Sequence, residues 1–300
     1  MCSVAKFRRS DAALLTSADY ESIADQGARL GAASVVFLGG EPLVAHNICE
    51  LVHIFDSRGF FCNVVSNGIA LTADYAAELR AAGLDAIYFG LESLDEELND
   101  RRRGYQGQCR KALEAARICK EQGLPVGICT VFVPGEMDRL LAVLRYCKEN
   151  GLRVFLAMLV CVGAAEDMGG VTEDSYKQAL SLLRQYPNVT VDWAFSYFLR
   201  PRCPAGKEKL AITCYGDVQG CSLTHISFGN VKQEPLRQIW RRAMRFSQFS
   251  KNADRCLAAF DDRYREEFML PMARLDYGPV FYRDHPRISA ATEPELFARG

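Results

Sequence analysis

Residues 35–43 read Val-Val-Phe-Leu-Gly-Gly-Glu-Pro-Leu: an apolar, β-branched run halts at two glycines, an acid and a proline. This is the pattern of a buried strand that ends in a tight turn another molecule can approach. Gly39 and Gly40 carry no Cβ, so their backbone can bend sharply and come close to a ligand. Glu41 offers a carboxylate acceptor, and Pro42 stiffens the exit. Free carbonyls and a carboxylate accept hydrogen bonds from an ammonium group. Cysteine is the second source of chemistry, with 12 in 300 residues. Cys203, Cys221 and Cys256 stand around a short hairpin and a helix. A hairpin brings two distant thiols together and a later segment supplies a third. Three or four sulfurs suit an iron–sulfur cluster or zinc. Cys49, Cys62, Cys109, Cys119, Cys129, Cys147 and Cys161 are scattered singly and read as small buried hydrophobes. Cys214, near the hairpin tip, reads as a bystander.

Strands and helices alternate through the first two thirds of the chain. Strands are expected at 34–38, 61–66, 86–91, 126–133, 153–160 and 189–195. Helices are expected at 17–30, 47–57, 72–82, 108–122, 137–150 and 173–185. Short apolar strands in this rhythm argue for a parallel sheet covered by helices, either doubly wound or a barrel. In both, ligands sit at the carboxyl ends of the strands. The turn at Gly39-Gly40-Glu41-Pro42, the Ser66-Asn67-Gly68 turn and Leu91-Glu92-Ser93 all follow strand ends, so three polar loops converge on one rim. The rhythm stops near residue 200, and a domain boundary is expected at 196–202. Residues 203–260 are richer in cysteine and turns, and 262–300 read as a wrapping tail.

Formal charge is -1, from 36 Lys+Arg against 37 Asp+Glu, which argues against nucleic acid as a partner. No apolar run approaches a membrane span, no secretory signal opens the chain, and a cytoplasmic location is expected.

Several of these segments together resemble the radical S-adenosylmethionine (SAM) enzymes that carry a C-terminal SPASM or twitch cluster domain. Leu15-Thr16 with its helix and Gly39-Gly40-Glu41-Pro42-Leu43 are similar to that family's "LT…GGEPL" segment. Ser66-Asn67-Gly68 resembles its "TNG" turn, and 87–93 its "vSLDs" strand, with Gly90 where serine is usual. Residues 102–107 resemble the arginine- and glycine-containing loop that follows. Cys-x12-Gly-x4-Cys from Cys203 to Cys221, then Gly229-Asn230 and 236–240, resemble the opening of a SPASM or twitch domain.

The resemblance implies a partial (β/α)6-type TIM barrel lacking its first strand, with a small Cys-rich hairpin–helix appendage. It implies domains at 1–196 (barrel), 197–261 (iron–sulfur) and 262–300 (tail). It places the methionyl amine of SAM on Gly39, Gly40, Glu41 and Pro42, and Ser66 and Asn67 near the ribose or methionyl group. Glu92 and Arg103 would reach the same cofactor, Arg103 toward its carboxylate. The family holds a [4Fe–4S] cluster on Cys-x3-Cys-x2-Cys, and no such triplet occurs here. Cys2 corresponds to the last cysteine of that loop, so a truncated start is expected. Cys203, Cys221 and Cys256 would hold an auxiliary cluster, with Cys214 the weaker candidate. The implied activity is reductive cleavage of SAM to a 5′-deoxyadenosyl radical, which abstracts hydrogen from a peptide or small molecule. An electron donor such as flavodoxin or ferredoxin is implied. A cluster-less binding protein and a structural zinc site are the competing readings.

Overall fold

The computed structural model describes residues 9, 12–160, 171–191, 202–250, 253–273, 275, 277–289 and 291–297. Cys2 and Cys161, as well as residues 192–200 at the expected boundary, lie outside these described residues. In chain order the main helices are α1 (Ser17–Arg29), α2 (Ile48–Asp56), α3 (Ala73–Ala81), α4 (Glu96–Arg103), α5 (Gln108–Glu121), α6 (Met137–Glu149), α7 (Glu173–Gln185) and α8 (Leu236–Arg245). Contacts gather the chain into two compact units, one from Gly31–Leu159 with 171–191 and one from the remaining described residues.

The first unit holds six strands: β1 (Ser34–Phe37), β2 (Phe61–Ser66), β3 (Ala86–Gly90), β4 (Val126–Phe132), β5 (Arg153–Met158) and β6 (Val189–Val191). They pair in sequence order, and every pair is parallel. A doubly wound sheet starts in its middle and reverses direction, whereas here each strand adds at the same edge. This is the partial (β/α)6 barrel, and strand order decides what periodicity left open. Alternate residues are sealed: Val64, Ile87, Phe89, Ile128, Val154 and Leu156 have no exposed surface. The intervening residues Asn63, Tyr88, Cys129 and Phe155 stay half-buried on the other face.

Helix starts follow local chemistry. The Thr72 hydroxyl accepts from Tyr75 N–H (3.2 Å) ahead of α3, and Thr172 accepts from Ser175 N–H (3.2 Å) ahead of α7. Helix α4 was not expected, because it has no apolar period: its sequence is Glu-Glu-Leu-Asn-Asp-Arg-Arg-Arg. Its ends are well marked all the same. Asp95 accepts from Leu98 N–H (3.0 Å), acids fill the first turn and three arginines the last, and Gly104 closes it at φ +70°.

The second unit contains the expected hairpin, β7 (Ala211–Ile212) against β8 (Asp217–Gln219), extended by β9 (Ile226–Asn230) and β10 (Val280–Phe281). Helix α1 belongs to this unit and packs on α8. Thr16 and Asp19 close a reciprocal capping box at its start. Leu236 N–H donates to Gln26 Oε1 (2.8 Å), and Leu15 N–H donates to the Cys214 carbonyl (2.8 Å). The C-terminal segment, expected to wrap, is part of the core. Phe268, Tyr282 and Phe297 join Phe228, Phe246 and Phe249 in one aromatic cluster, with ring pairs such as Tyr282–Phe297 at 4.9 Å.

Candidate functional site

The rim of the first unit is built on the Glu41 carboxylate. β1 runs into Gly39, whose φ of +133° a side chain would rarely adopt. A Cβ on Gly39 or Gly40 would meet open space, so the peptide backbone there is accessible. Glu41 Oε1 accepts from Leu43 N–H (3.1 Å) and from the Ser66 hydroxyl (2.7 Å), while Oε2 accepts from Asn67 N–H (2.8 Å). Ser66 Oγ then accepts from Gly68 N–H (3.0 Å), and Asn67 Oδ1 from Ile69 N–H (2.8 Å). Much of the carboxylate's acceptor capacity is therefore spent on locking the loop after β1 to the loop after β2.

A second network continues the rim to β4. Gln108 Nε2 donates to the Gly90 carbonyl (2.8 Å) and the Asn67 carbonyl (3.1 Å), and Asn99 Nδ2 donates to Gln108 Oε1 (2.7 Å). Asn99 Oδ1 accepts from Glu92 N–H (2.9 Å). The Glu92 carboxylate, only 3 % exposed, accepts from Val131 N–H (3.1 Å) and faces Arg103 at 3.5 Å and Arg139 at 3.9 Å. Arg139 is itself buried. It donates to the Glu92 and Val131 carbonyls and, at 2.8 Å, to Glu136, which also pairs with Arg102. The Arg102 hydrogen bond is the main reason the Glu136 carboxyl sits below its usual 4.5.

Gly90 explains how Arg103 reaches this network. A Cβ on Gly90 would run into the Arg103 guanidinium, which lies where that carbon would stand. Arg103, with 29 % of its side chain exposed, therefore rests on the β3 backbone beside Glu92. Two carboxylates and three guanidiniums leave one positive charge in excess, with Arg103 the most exposed member, a setting that suits an anionic ligand group.

In the second unit, Cys203 N–H donates to Ala253 O (2.9 Å), which brings the start of the hairpin segment to the residues just before Cys256. Thr224 N–H donates to Cys221 O (3.0 Å). Cys256 is half-buried, and desolvation, reinforced by the nearby Cys203 and Cys221, pushes its thiol far above the usual range. Tyr264 is likewise raised by burial, opposed by the Thr224 hydroxyl and reinforced by the same three thiols. Among the described residues no three His, Cys, Asp or Glu side chains are close-set enough for a single metal ion. Cys203, Cys221 and Cys256 are all half-buried, and a set of three thiols suits an iron–sulfur cluster or zinc. Cys214 is exposed.

Cys62, Cys109, Cys119 and Cys147 are buried, as expected, and burial pushes their thiols up to about 12, 11, 12 and 12. Cys49 and Cys129 are half-buried. Sequence reading missed Gln108, Asn99, Glu136 and Arg139. One signal was available for the last: Arg139 sits in the first turn of α6, where the helix dipole favours acids.

A six-stranded parallel half-barrel with a polar rim at its strand ends, followed by a thiol-bearing hairpin unit, is the architecture these residues define. A profile of the Radical SAM superfamily matches residues 1–147, and a profile of an iron-sulfur cluster-binding domain, SPASM, matches 203–259. The first part of the chain thus carries a radical SAM domain and the C-terminal part a SPASM domain. The cofactors those two domains imply are SAM and [4Fe–4S] clusters. Among curated relatives, an AdoMet-dependent heme synthase of Oleidesulfovibrio alaskensis is 23% identical over 268 residues, covering 78% of this chain and 69% of that protein. A PqqA peptide cyclase of Granulibacter bethesdensis is 27% identical over 256 residues, covering 78% and 68%. Among solved structures, Streptococcus suis SuiB bound to S-adenosylmethionine superposes with a TM-score of 0.63 at 19% identity, over 78% of this chain and 60% of SuiB. The anSMEcpe structure with bound AdoMet gives 0.59 at 15% identity, over 82% and 75%. The chain thus spans about three fifths of SuiB and about two thirds of the curated relatives. No helix among the described residues is long and apolar enough to cross a membrane.

Proposed function

We propose that this protein is a radical SAM enzyme that acts on a peptide. When bound and reduced, the [4Fe–4S] cluster of such a domain supplies the electron that splits SAM into methionine and a 5′-deoxyadenosyl radical. This chain's own residues hold the cofactor and keep water from the reaction. The carbonyls of Gly39 and Gly40 accept from the methionyl ammonium, and Glu41 and Pro42 fix the turn that presents them. Ser66 and Asn67, pinned by Glu41, line the ribose side. Arg103, steadied by Glu92, meets the carboxylate. Cys2 is assigned to the cluster beside SAM, and Cys203, Cys221 and Cys256 to an auxiliary cluster. The barrel domain is taken as 1–196, the iron–sulfur domain as 197–261 and the C-terminal segment as 262–300. The electron comes from a small carrier of the flavodoxin or ferredoxin type, and the setting is cytoplasmic.

The observation that carries this reading is the Glu41 lock together with Arg103 on Gly90, which sets acceptors and one cation along a single rim. The peptide substrate is supported by relatives: SuiB has been solved with the precursor peptide SuiA and anSMEcpe with the Cp18Cys peptide, and one curated relative is a PqqA peptide cyclase. The test is anaerobic reconstitution with iron and sulfide, followed by dithionite and SAM, with 5′-deoxyadenosine read by chromatography. Formation of 5′-deoxyadenosine, reduced at least tenfold by Arg103→Met, supports the assignment. A protein that holds its clusters yet neither binds nor cleaves SAM overturns it.

A further inference from the structure

Two hydroxyls are sealed inside the second unit. Thr224 is 2% exposed and Tyr264 is 1% exposed, and their oxygens lie 3.0 Å apart. Each oxygen carries one hydrogen. One of the two hydrogens is used between them, whichever group donates. Neither oxygen makes another hydrogen bond among the described residues, so the second hydrogen needs an acceptor. A buried donor left without one is destabilising.

The surroundings offer few acceptors. The Tyr264 ring packs against Phe268 at 5.6 Å and Phe249 at 6.4 Å, which are apolar. The three cysteine thiols are near enough to act electrostatically on the Tyr264 hydroxyl. Thr224 closes a turn on Cys221, the Cys203 backbone is tied to Ala253, and Cys256 lies three residues further on. The backbone at Tyr264 is itself unusual. Asp261 accepts from its N–H at 2.8 Å, and the chain then enters a five-residue π-helical turn, Arg265–Met269. Such turns recur where a side chain must be re-aimed at a functional site.

We propose that the Thr224–Tyr264 hydroxyl pair donates a hydrogen bond to a sulfur of the cluster held by Cys203, Cys221 and Cys256, and that this bond raises the cluster's reduction potential. The inference rests on the assignment of those cysteines as ligands. Reduction adds one electron to the cluster and moves no proton. A donor aimed at sulfur stabilises the more negative, reduced state. Removing the donor makes the cluster harder to reduce.

The experiment is a mediated redox titration of the reconstituted protein, followed by electron paramagnetic resonance, with iron counted in every sample. Tyr264→Phe and Thr224→Val keep the shape of the buried space and remove one hydroxyl each. In the double variant the reduced-to-oxidised ratio at a fixed ambient potential is expected to fall roughly tenfold, the effect of one charge-assisted hydrogen bond. Thr224→Ser, which keeps the hydroxyl, is expected to titrate as the parent. If the double variant loses iron, the single substitutions carry the same test, and one of them must show the fall. A full-iron variant without both hydroxyls that titrates at the parental potential overturns the proposal. If Cys203→Ser, Cys221→Ser and Cys256→Ser all leave the iron content unchanged, the ligand assignment fails and this inference fails with it.

Discussion

Glu41 shows how one side chain serves both fold and site. Its carboxylate takes three protein hydrogen bonds from two loops, so its loss leaves Leu43 N–H, Ser66 Oγ and Asn67 N–H in search of partners. Glu41→Ala is expected to lower the unfolding free energy by about 2 kcal/mol and to weaken SAM binding, measured by urea titration and by calorimetry. Arg139 is the larger structural risk. It is buried among two carbonyls and two carboxylates, and Arg139→Gln leaves Glu92 and Glu136 under-compensated. A loss of about 3 kcal/mol is expected in the same urea titration. Glu136 adds a pH dependence. Its carboxyl is depressed in the folded state, so its contribution is present above 4.5 and is lost as pH falls through the lower folded value. The acid limb of a stability–pH curve should therefore be shallower in Glu136→Gln, and an unchanged limb would contradict the Arg102 pairing.

Among the elements, α4 is where sequence reading fell short and where the site gains its cation. Caps, end charges and the closing glycine were all present in the sequence, but an all-polar helix has no apolar period to announce it. The helix places Arg103 in its last turn, one residue before Gly104, and Gly90 on β3 leaves room for the guanidinium. Gly90→Ser restores the residue usual in the resembling strand and should push Arg103 off Glu92. SAM affinity is expected to fall roughly tenfold while β3 still pairs, read by calorimetry alongside circular dichroism. The strand ends, by contrast, were legible: Gly39-Gly40-Glu41-Pro42, Ser66-Asn67 and Glu92 were placed from residue types alone. What they do to one another was not. That Glu41 accepts from Ser66 and Asn67, 25 and 26 residues away, follows from the parallel pairing of β1 and β2.

At the scale of the whole molecule, each unit has its own core, and the second is assembled from distant parts of the chain. Helix α1, the hairpin, α8 and the C-terminal segment all contribute. His285 belongs to that core. Its Nδ1 accepts from Arg287 N–H (3.0 Å), which leaves Nε2 to donate to Phe268 O (3.2 Å). Burial holds its pKa below the usual 6.5, so the unfolded chain binds the proton more readily and stability is lost as pH falls below 6.5. The second unit should melt at lower temperature at pH 5 than at pH 7, with the difference reduced in His285→Gln. A chain ended at residue 261 lacks Phe268, Tyr282 and Phe297, and its near-ultraviolet circular dichroism should lose the aromatic signal of this core.

The sequence by itself determined the strand and helix alternation, the glycine–acid turn and the cysteines that can gather, because apolar period, backbone permissiveness and thiol chemistry are written locally. Only the tertiary structure decided that the sheet is wound in one direction, that Arg139 underpins Glu92, and that Thr224 and Tyr264 meet beside the three thiols. Those facts depend on pairings between residues tens of positions apart. No local pattern encodes such pairings, since burial and hydrogen-bond satisfaction are properties of the packed chain.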